Sequence, residues 1–392
     1  MINRLTYLCG SGGKRGYRNS SNRNRFEFHS RESASEHGEP GTRLRVRKAP
    51  AALLVEGPTR APVSICPEGV ASKARERGRL HVALPLGGSD VSPIIDQEGN
   101  MATEALTEKE YMRSGHMGCP GCGLASTIRL VMKVLGKNTI VVMIPSCVGP
   151  ISANYPNSVF DVPCFHSAFE IAAPTASGIA AALKVQGRDD IIPVAFAGDG
   201  GTFDIGLQSL SGAADRDDNF IYICLDNEAY MNTGIQSSSS TPQNVWTMTT
   251  PGGRQGKKKK FMQIIAAHRM PYAATASFGH PHDLMAKVER AKGFKGTRFI
   301  HTLTPCPTGW RMAEDLSAKS AMLAVETKIF PLYEIINGTE YRITHEPQGL
   351  PVSEYTKIQG RYRHFTGEDV TRLQKQVDED WERLVAQTKG IC

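Results

Sequence analysis

The chain lacks any apolar run of the ~18 residues a membrane span needs, and nothing in the sequence calls for a membrane partner. Its first residues, Met1-Ile2-Asn3-Arg4, lack the apolar centre of about 7–15 residues that marks a secretory signal. A cytoplasmic location is the expectation. Charge of one sign is also lacking where it would matter. Lys and Arg number 46 against 39 Asp and Glu, a net charge of +7, but residues 1–100 hold 16 against 10 of these. That leaves 30 against 29 for residues 101–392, so the body has no basic footprint and no nucleic-acid partner is expected. Internal repeats are absent. So is the C-x-x-C-x-x-C-x-x-x-C-P run that seats clusters in bacterial ferredoxins. Any electrons leaving a cluster on this chain must pass to carriers on another.

What is present is enough for two average domains or one large α/β domain: 392 residues, 40% hydrophobic and 22% charged. Residues 1–100 scatter Arg, Ser, Gly, Pro and Glu without helical or strand period, as in Arg43-Leu44-Arg45-Val46-Arg47-Lys48. They are expected to be disordered or to be upstream mistranslation. An organellar transit peptide fits the Arg and Ser content, whereas Glu27, Glu32, Glu36 and Glu39 oppose it. Met101 begins a start-like stretch, Ala102-Thr103-Glu104, and Gln97-Glu98-Gly99-Asn100 can be encoded with AGGAGG just upstream. An intact-mass measurement on native protein retaining residues 1–100 would refute that start.

From there strand-like and helix-like segments alternate. Helices are expected over 124–135, 168–186, 205–216, 261–268, 283–292, 314–328 and 370–389, with Pro174 marking a kink or start. Strands are expected over 139–144, 191–197, 220–225, 272–276 and 298–303. This alternation predicts an α/β fold with a doubly wound, mostly parallel sheet. Residues 101–330 form the main domain, and 331–392 are expected to be an extension contacting partner subunits. The long Ser-, Thr-, Gly- and Pro-rich stretch 233–260 reads as a functional or mobile loop. Its Lys257 to Lys260 run reads as a solvated patch, with an electrostatic landing site as the alternative.

Two loops carry ligand chemistry. The strand 191–197 runs into Gly198-Asp199-Gly200-Gly201-Thr202-Phe203-Asp204, and the strand 220–225 into Asp226-Asn227-Glu228-Ala229-Tyr230-Met231-Asn232. This is one βαβ unit with polar residues at the carboxyl ends of both strands. Backbone N–H groups at the glycine turn can face phosphate oxygens. Asp199 is a hard oxygen ligand for Mg2+, Asn227 offers a side-chain carbonyl, and the main chain near Ala229 offers another oxygen. Gly-Asp-Gly alone is an ordinary turn as often as a site, but the second loop at this spacing points to a metal-bound diphosphate.

Nine cysteines without an export signal favour metal or redox use over structural disulfides. Cys119, Cys122, Cys147 and Cys306 fall on loops beside apolar segments. Four such thiols suit a cubane iron–sulfur cluster or a zinc ion. The C-x-x-C before a helix also suits a redox dithiol. Cys164 and Cys224 lie on apolar runs and are read as core thiols. Cys9, Cys66 and Cys392 lie in tails. His116 is a candidate for the pocket or a structural histidine.

Taken together, Gly118-Cys119-Pro120-Gly121-Cys122-Gly123, the 198–204 turn, the 226–234 loop and Pro305-Cys306-Pro307-Thr308-Gly309-Trp310 resemble the β subunits of pyruvate:ferredoxin oxidoreductases, over about residues 114–364. The resemblance implies the diphosphate-binding half of a thiamine diphosphate-binding fold. It implies a 4Fe-4S cluster on Cys119, Cys122, Cys147 and Cys306. It implies Mg2+ on Asp199, Asn227 and the Ala229 carbonyl, and a diphosphate turn of Gly198, Gly200, Gly201 and Thr202. Asn232 would lie near the thiazolium and substrate as a catalytic residue. The glutamate that activates the aminopyrimidine belongs to a partner α subunit. Further partners are γ and δ ferredoxin-like subunits or domains, ferredoxin, a 2-oxoacid, and coenzyme A as co-substrate.

Ile144-Pro145-Ser146-Cys147-Val148-Gly149-Pro150 departs from the Thr-Gly-Cys-Met-Glu-Val expected of the pyruvate branch, and Ile171 stands where asparagine is common. Gln359-Gly360-Arg361-Tyr362-Arg363-His364-Phe365 resembles that branch again. The implied reaction is reversible oxidative decarboxylation of pyruvate to acetyl-CoA. Other 2-oxoacids (2-oxoisovalerate, aryl-pyruvate), a non-redox thiamine diphosphate decarboxylase or synthase, and a zinc-stabilised binding subunit are the rivals.

Overall fold

Strands that are apolar on both faces need helices on both sides, and this chain supplies them. The computed structural model describes residues 109–154 and 157–390. The readings of residues 1–100, of the Met101 start and of Cys9, Cys66 and Cys392 lie outside the described residues. In chain order the strands are β1 (Thr139–Met143), β2 (Ala153–Asn154), β3 (Asn157–Ser158), β4 (Cys164–His166), β5 (Ile192–Gly198), β6 (Phe220–Asp226), β7 (Tyr272–Ser277), β8 (Thr297–Leu303), β9 (Tyr333–Ile336) and β10 (Glu340–Ile343). The helices are α1 (Gly123–Leu135), α2 (Val148–Ser152), α3 (Ala172–Val185), α4 (Leu207–Asp215), α5 (Phe261–Ala267), α6 (Pro281–Gly293), α7 (Pro307–Trp310), α8 (Ser317–Glu326), α9 (Val352–Thr356) and α10 (Gly367–Thr388).

Eight strands form one mixed, mostly parallel sheet in the order β10-β9-β7-β8-β6-β5-β1-β4. The pairs from β7 through β4 are parallel, while β9 runs antiparallel to β7 and β10 antiparallel to β9. Side chains alternate between two cores, as the pleat requires. Val194 and Phe196 of β5 and Ile221, Ile223 and Leu225 of β6 face the core shared with α1 and α6. Ala195, Ala197, Phe220, Tyr222 and Cys224 face the core shared with α3, α4 and α5. The helices therefore cover both faces, as expected of a doubly wound sheet. A third cluster, around Trp310, Phe330, Tyr355 and Tyr362, lies beyond the end of β8.

Local chemistry sets the helix ends. Leu124, Ile128, Val131, Met132 and Leu135 form the buried stripe of α1, which stops at Gly136 with φ 72°. A reciprocal pair between Thr366 and Asp369 caps α10. β4, β9 and β10 have no counterpart among the expected strands. Each is only three or four residues long, too short for a period to declare itself. β9 and β10, inside 331–392, extend the main sheet. The core reading holds for Cys224, which is fully buried, but not for Cys164. β4 is an edge strand paired only to β1, and all three of its residues are exposed. Among the described residues no helix is long and apolar enough to cross a membrane.

Candidate functional site

Each ligand-bearing loop leaves the carboxyl end of a strand, where an open parallel sheet offers a crevice. A cavity of about 260 Å3 lies there. Its lining includes Cys147 after β1, Gly198 to Gly201 after β5, and Asn227 and Ala229 to Thr233 after β6. The two sequence motifs and one of the four loop cysteines thus share a wall. Thr202 does not line it. Its hydroxyl donates to the Gly198 carbonyl at 2.8 Å and meets the Tyr222 hydroxyl at 3.2 Å, so only its backbone N–H remains for a ligand. Asn232 lines the cavity and is exposed.

After β5 the chain makes a π-helical turn, Gly200–Ile205, ahead of α4. The expected helix over 205–216 therefore begins as a wider coil, a form that recurs at functional sites. Gly200 is required by close approach. A Cβ there would fall 2.2 Å from the Tyr230 ring. Tyr230 in turn donates from its hydroxyl to Asp204 at 2.8 Å, which ties the last residue of the first motif to the middle of the second.

The oxygen atoms are arranged tightly. The Asn227 side-chain amide lies 2.8 Å from the Ala229 carbonyl oxygen and 3.2 Å from Asp199 Oδ1. With its NH2 turned inward it satisfies both; with its carbonyl turned inward, three oxygens converge, the donor set a hard dication takes. Asp199 is 1% exposed, and its other oxygen accepts from Ser238 at 2.5 Å. Burial, reinforced by the neighbouring Asp226, raises Asp199 well above the usual carboxylate range. A carboxylate under that pressure is stabilised by a bound cation.

Asp226 behaves differently. Burial alone would raise it, but the Lys258 ammonium and hydrogen bonds from His301 and Ser240 outweigh burial and hold it well below the usual range. Its Oδ2 is 2.6 Å from Ser240, 2.8 Å from His301 and 3.3 Å from Lys258, and its Oδ1 accepts from the Glu228 N–H at 2.8 Å. Lys258 also pairs with Glu228 at 2.7 Å, and Glu228 with Arg361 at 2.7 Å. Arg361 stacks on Trp310, whose indole N–H donates to the Asn227 carbonyl at 2.9 Å. This buried chain braces the second motif from behind. The Lys257 to Lys260 run is therefore not simply a solvated patch: Lys258 bridges Asp226 and Glu228, Lys259 meets Asp204 and the Phe203 carbonyl, and Lys260 pairs with Asp380. Ser238, Ser240, Lys258, His301 and Arg361 were not foreseen. The sequence signals were the Ser237 to Ser240 run inside a long loop, the Lys257 to Lys260 run, a histidine within the apolar β8 and the stretch around Arg361, none of which showed these partners.

The cysteines come from three places. The Cys122 N–H donates to the Cys119 carbonyl at 3.1 Å, closing the C-x-x-C turn, and the Gly123 N–H donates to Pro305 at 3.1 Å, docking that turn on the Cys306 loop. The Gly309 N–H donates to the Cys306 sulfur at 3.3 Å. Burial, with the neighbouring Cys306, Cys122 and Cys119 thiols, pushes Cys147 up to about 12, and burial pushes Cys306 up to about 11. Such thiols ionise when a cation or cluster takes them as ligands. Among the described residues the four sulfurs form no group of three within 4.8 Å of one another. His116 is exposed, accepts the Gly118 N–H at 3.2 Å and is not among the cavity-lining residues.

Comparison with known proteins bears on this site. Residues 146–302 match the thiamine pyrophosphate enzyme, C-terminal TPP binding domain. The chain is 49% identical over 285 residues to pyruvate synthase subunit PorB of Methanothermobacter thermautotrophicus, an alignment covering 71% of this chain and 99% of that one. It is 49% identical over 292 residues to ketoisovalerate oxidoreductase subunit VorB of Pyrococcus furiosus, covering 70% and 93%. It is also 49% identical over 297 residues to PorB of Methanocaldococcus jannaschii, covering 72% and 99%.

Proposed function

The chain belongs to the 2-oxoacid:ferredoxin oxidoreductase family that includes pyruvate synthase PorB and ketoisovalerate oxidoreductase VorB subunits, and on that premise we propose that it is the β subunit of a pyruvate:ferredoxin oxidoreductase. The reaction joins pyruvate and coenzyme A to give acetyl-CoA, CO2 and reduced ferredoxin, and it runs in both directions. The observation that carries this reading is the convergence of Asp199 Oδ1, the Asn227 amide and the Ala229 carbonyl beside the glycine turn.

These three groups would hold Mg2+, and the N–H groups of Gly198, Gly200, Gly201 and Thr202 would face the diphosphate of thiamine diphosphate. When bound, that cofactor supplies the nucleophilic carbon and the electron sink for decarboxylation. The chain's own part is to fix the diphosphate end, to present Asn232 at the mouth of the cavity, and to hold Cys147 against the same wall. Cys119, Cys122, Cys147 and Cys306 would hold a 4Fe-4S cluster as the electron outlet. The docking of the C-x-x-C turn on the Cys306 loop through the Gly123–Pro305 hydrogen bond supports a shared ligand set. The aminopyrimidine glutamate is assigned to an α subunit, and γ and δ chains carry electrons onward to ferredoxin. The 49% identity to a ketoisovalerate oxidoreductase subunit makes 2-oxoisovalerate the second reading of the substrate.

Asp199→Ala removes one metal oxygen and nothing from the cysteine loops. The variant is expected to lose bound thiamine diphosphate, assayed as thiochrome fluorescence, while keeping the brown colour of its cluster. Retention of the cofactor would overturn the assignment.

A further inference from the structure

Away from the cavity, three metal-ligating side chains meet at one point. His280 caps the start of α6, Glu326 is the last residue of α8, and His345 follows β10. One nitrogen from each imidazole and one carboxylate oxygen all lie within 4.8 Å of one another. His280 Nε2 is 3.4 Å and His345 Nε2 is 2.8 Å from the same Glu326 Oε1. In a zinc site with metal–ligand bonds of about 2.0–2.2 Å, ligand atoms stand roughly 3.3 Å apart. The two distances bracket that value.

The supports around the cluster also fit. The carboxylate's other oxygen accepts from the Gln348 N–H at 2.8 Å, so Oε1 is the one turned toward the rings. The Nδ1 of His280 is buried with no hydrogen-bond partner, so nothing else claims that ring. Gly279 allows the loop to press against α8, since a Cβ there would lie 2.8 Å from the Met322 nitrogen.

We propose that His280, Glu326 and His345 form a second metal site, for a first-row divalent cation with zinc foremost. Two imidazoles and one carboxylate suit zinc or ferrous iron rather than magnesium. Three protein ligands leave a fourth position for water. The site joins segments from three parts of the chain. It also touches the cysteine region indirectly, because the loop that carries His280 carries Phe278, whose ring lies against Gly123 next to Cys122. This proposal does not depend on the function assigned above.

The test uses the assembled complex, purified anaerobically and equilibrated with Zn2+. Bound zinc is measured for the wild type and for His345→Ala and Glu326→Gln. Each variant is expected to lose one zinc equivalent per copy of this chain, with iron and thiamine diphosphate content unchanged. Equal zinc in wild type and variants would overturn the proposal. A measurement on the wild type alone covers the case of a variant that fails to fold. Zn2+ should slow diethyl pyrocarbonate modification of His345, mapped by mass spectrometry, by tenfold or more, whereas an unchanged rate would refute the site.

Discussion

Lys258 decides the charge state of the buried centre. Its ammonium lies between Asp226, wholly buried, and Glu228, 3% exposed. Removing one partner of a buried pair leaves the other uncompensated, at a cost of about 3–5 kcal/mol. Here His301 still holds Asp226 and Arg361 still holds Glu228, so Lys258→Met should cost about 3 kcal/mol, the lower end of that range. A lowered midpoint in equilibrium denaturation checks it, and an unchanged midpoint would show that the other two cations suffice. At this scale the sequence told half the story. The convergence of Asp199, Asn227 and Ala229 was legible because the three sit on loops at the ends of adjacent strands. Lys258 and Arg361 were not, because their partners lie 30 or more positions away and only the tertiary fold brings them together.

Among the elements, the π-helical turn Gly200–Ile205 couples the two motifs. Gly200→Ala places a methyl group within the Tyr230 ring space, so the ring must move and the Tyr230–Asp204 hydrogen bond must stretch or break. The expected outcome is at least roughly tenfold weaker thiamine diphosphate binding by titration, with a small change in melting temperature, because overpacking costs about 1–3 kcal/mol. Unaltered affinity would mean the turn yields without disturbing the site. Long elements with a clear period were read close to their true bounds, as for α1, β6 and β8. The turn itself was not, because Gly-Gly-Thr-Phe-Asp-Ile has no period that separates a wide coil from an ordinary helical start. β9 and β10 were missed for a related reason: their membership in the sheet depends on β9 pairing with β7 and β10 with β9, not on their own four residues.

At the scale of the whole molecule, this chain alone carries only part of the proposed site. On the proposed assignment, the chain without partner subunits should reduce no viologen dye with any 2-oxoacid. The reconstituted complex should reduce it with pyruvate faster than with 2-oxoisovalerate. A reversed preference would move the assignment to the ketoisovalerate branch without disturbing the cofactor reading. The fold was legible because the strand–helix alternation is strong, whereas no local pattern declares which 2-oxoacid enters. Finally, the turn that carries Cys119 and Cys122 meets the Cys306 loop across a hydrogen bond from Gly123 to Pro305. The first thiol emerges early in synthesis and the last only after β8, which lies between β6 and β7 in the finished sheet, has been made. Until then the amino-terminal cysteines have no fourth partner. A nascent chain that has not yet exposed β8 therefore cannot bring all four thiols together.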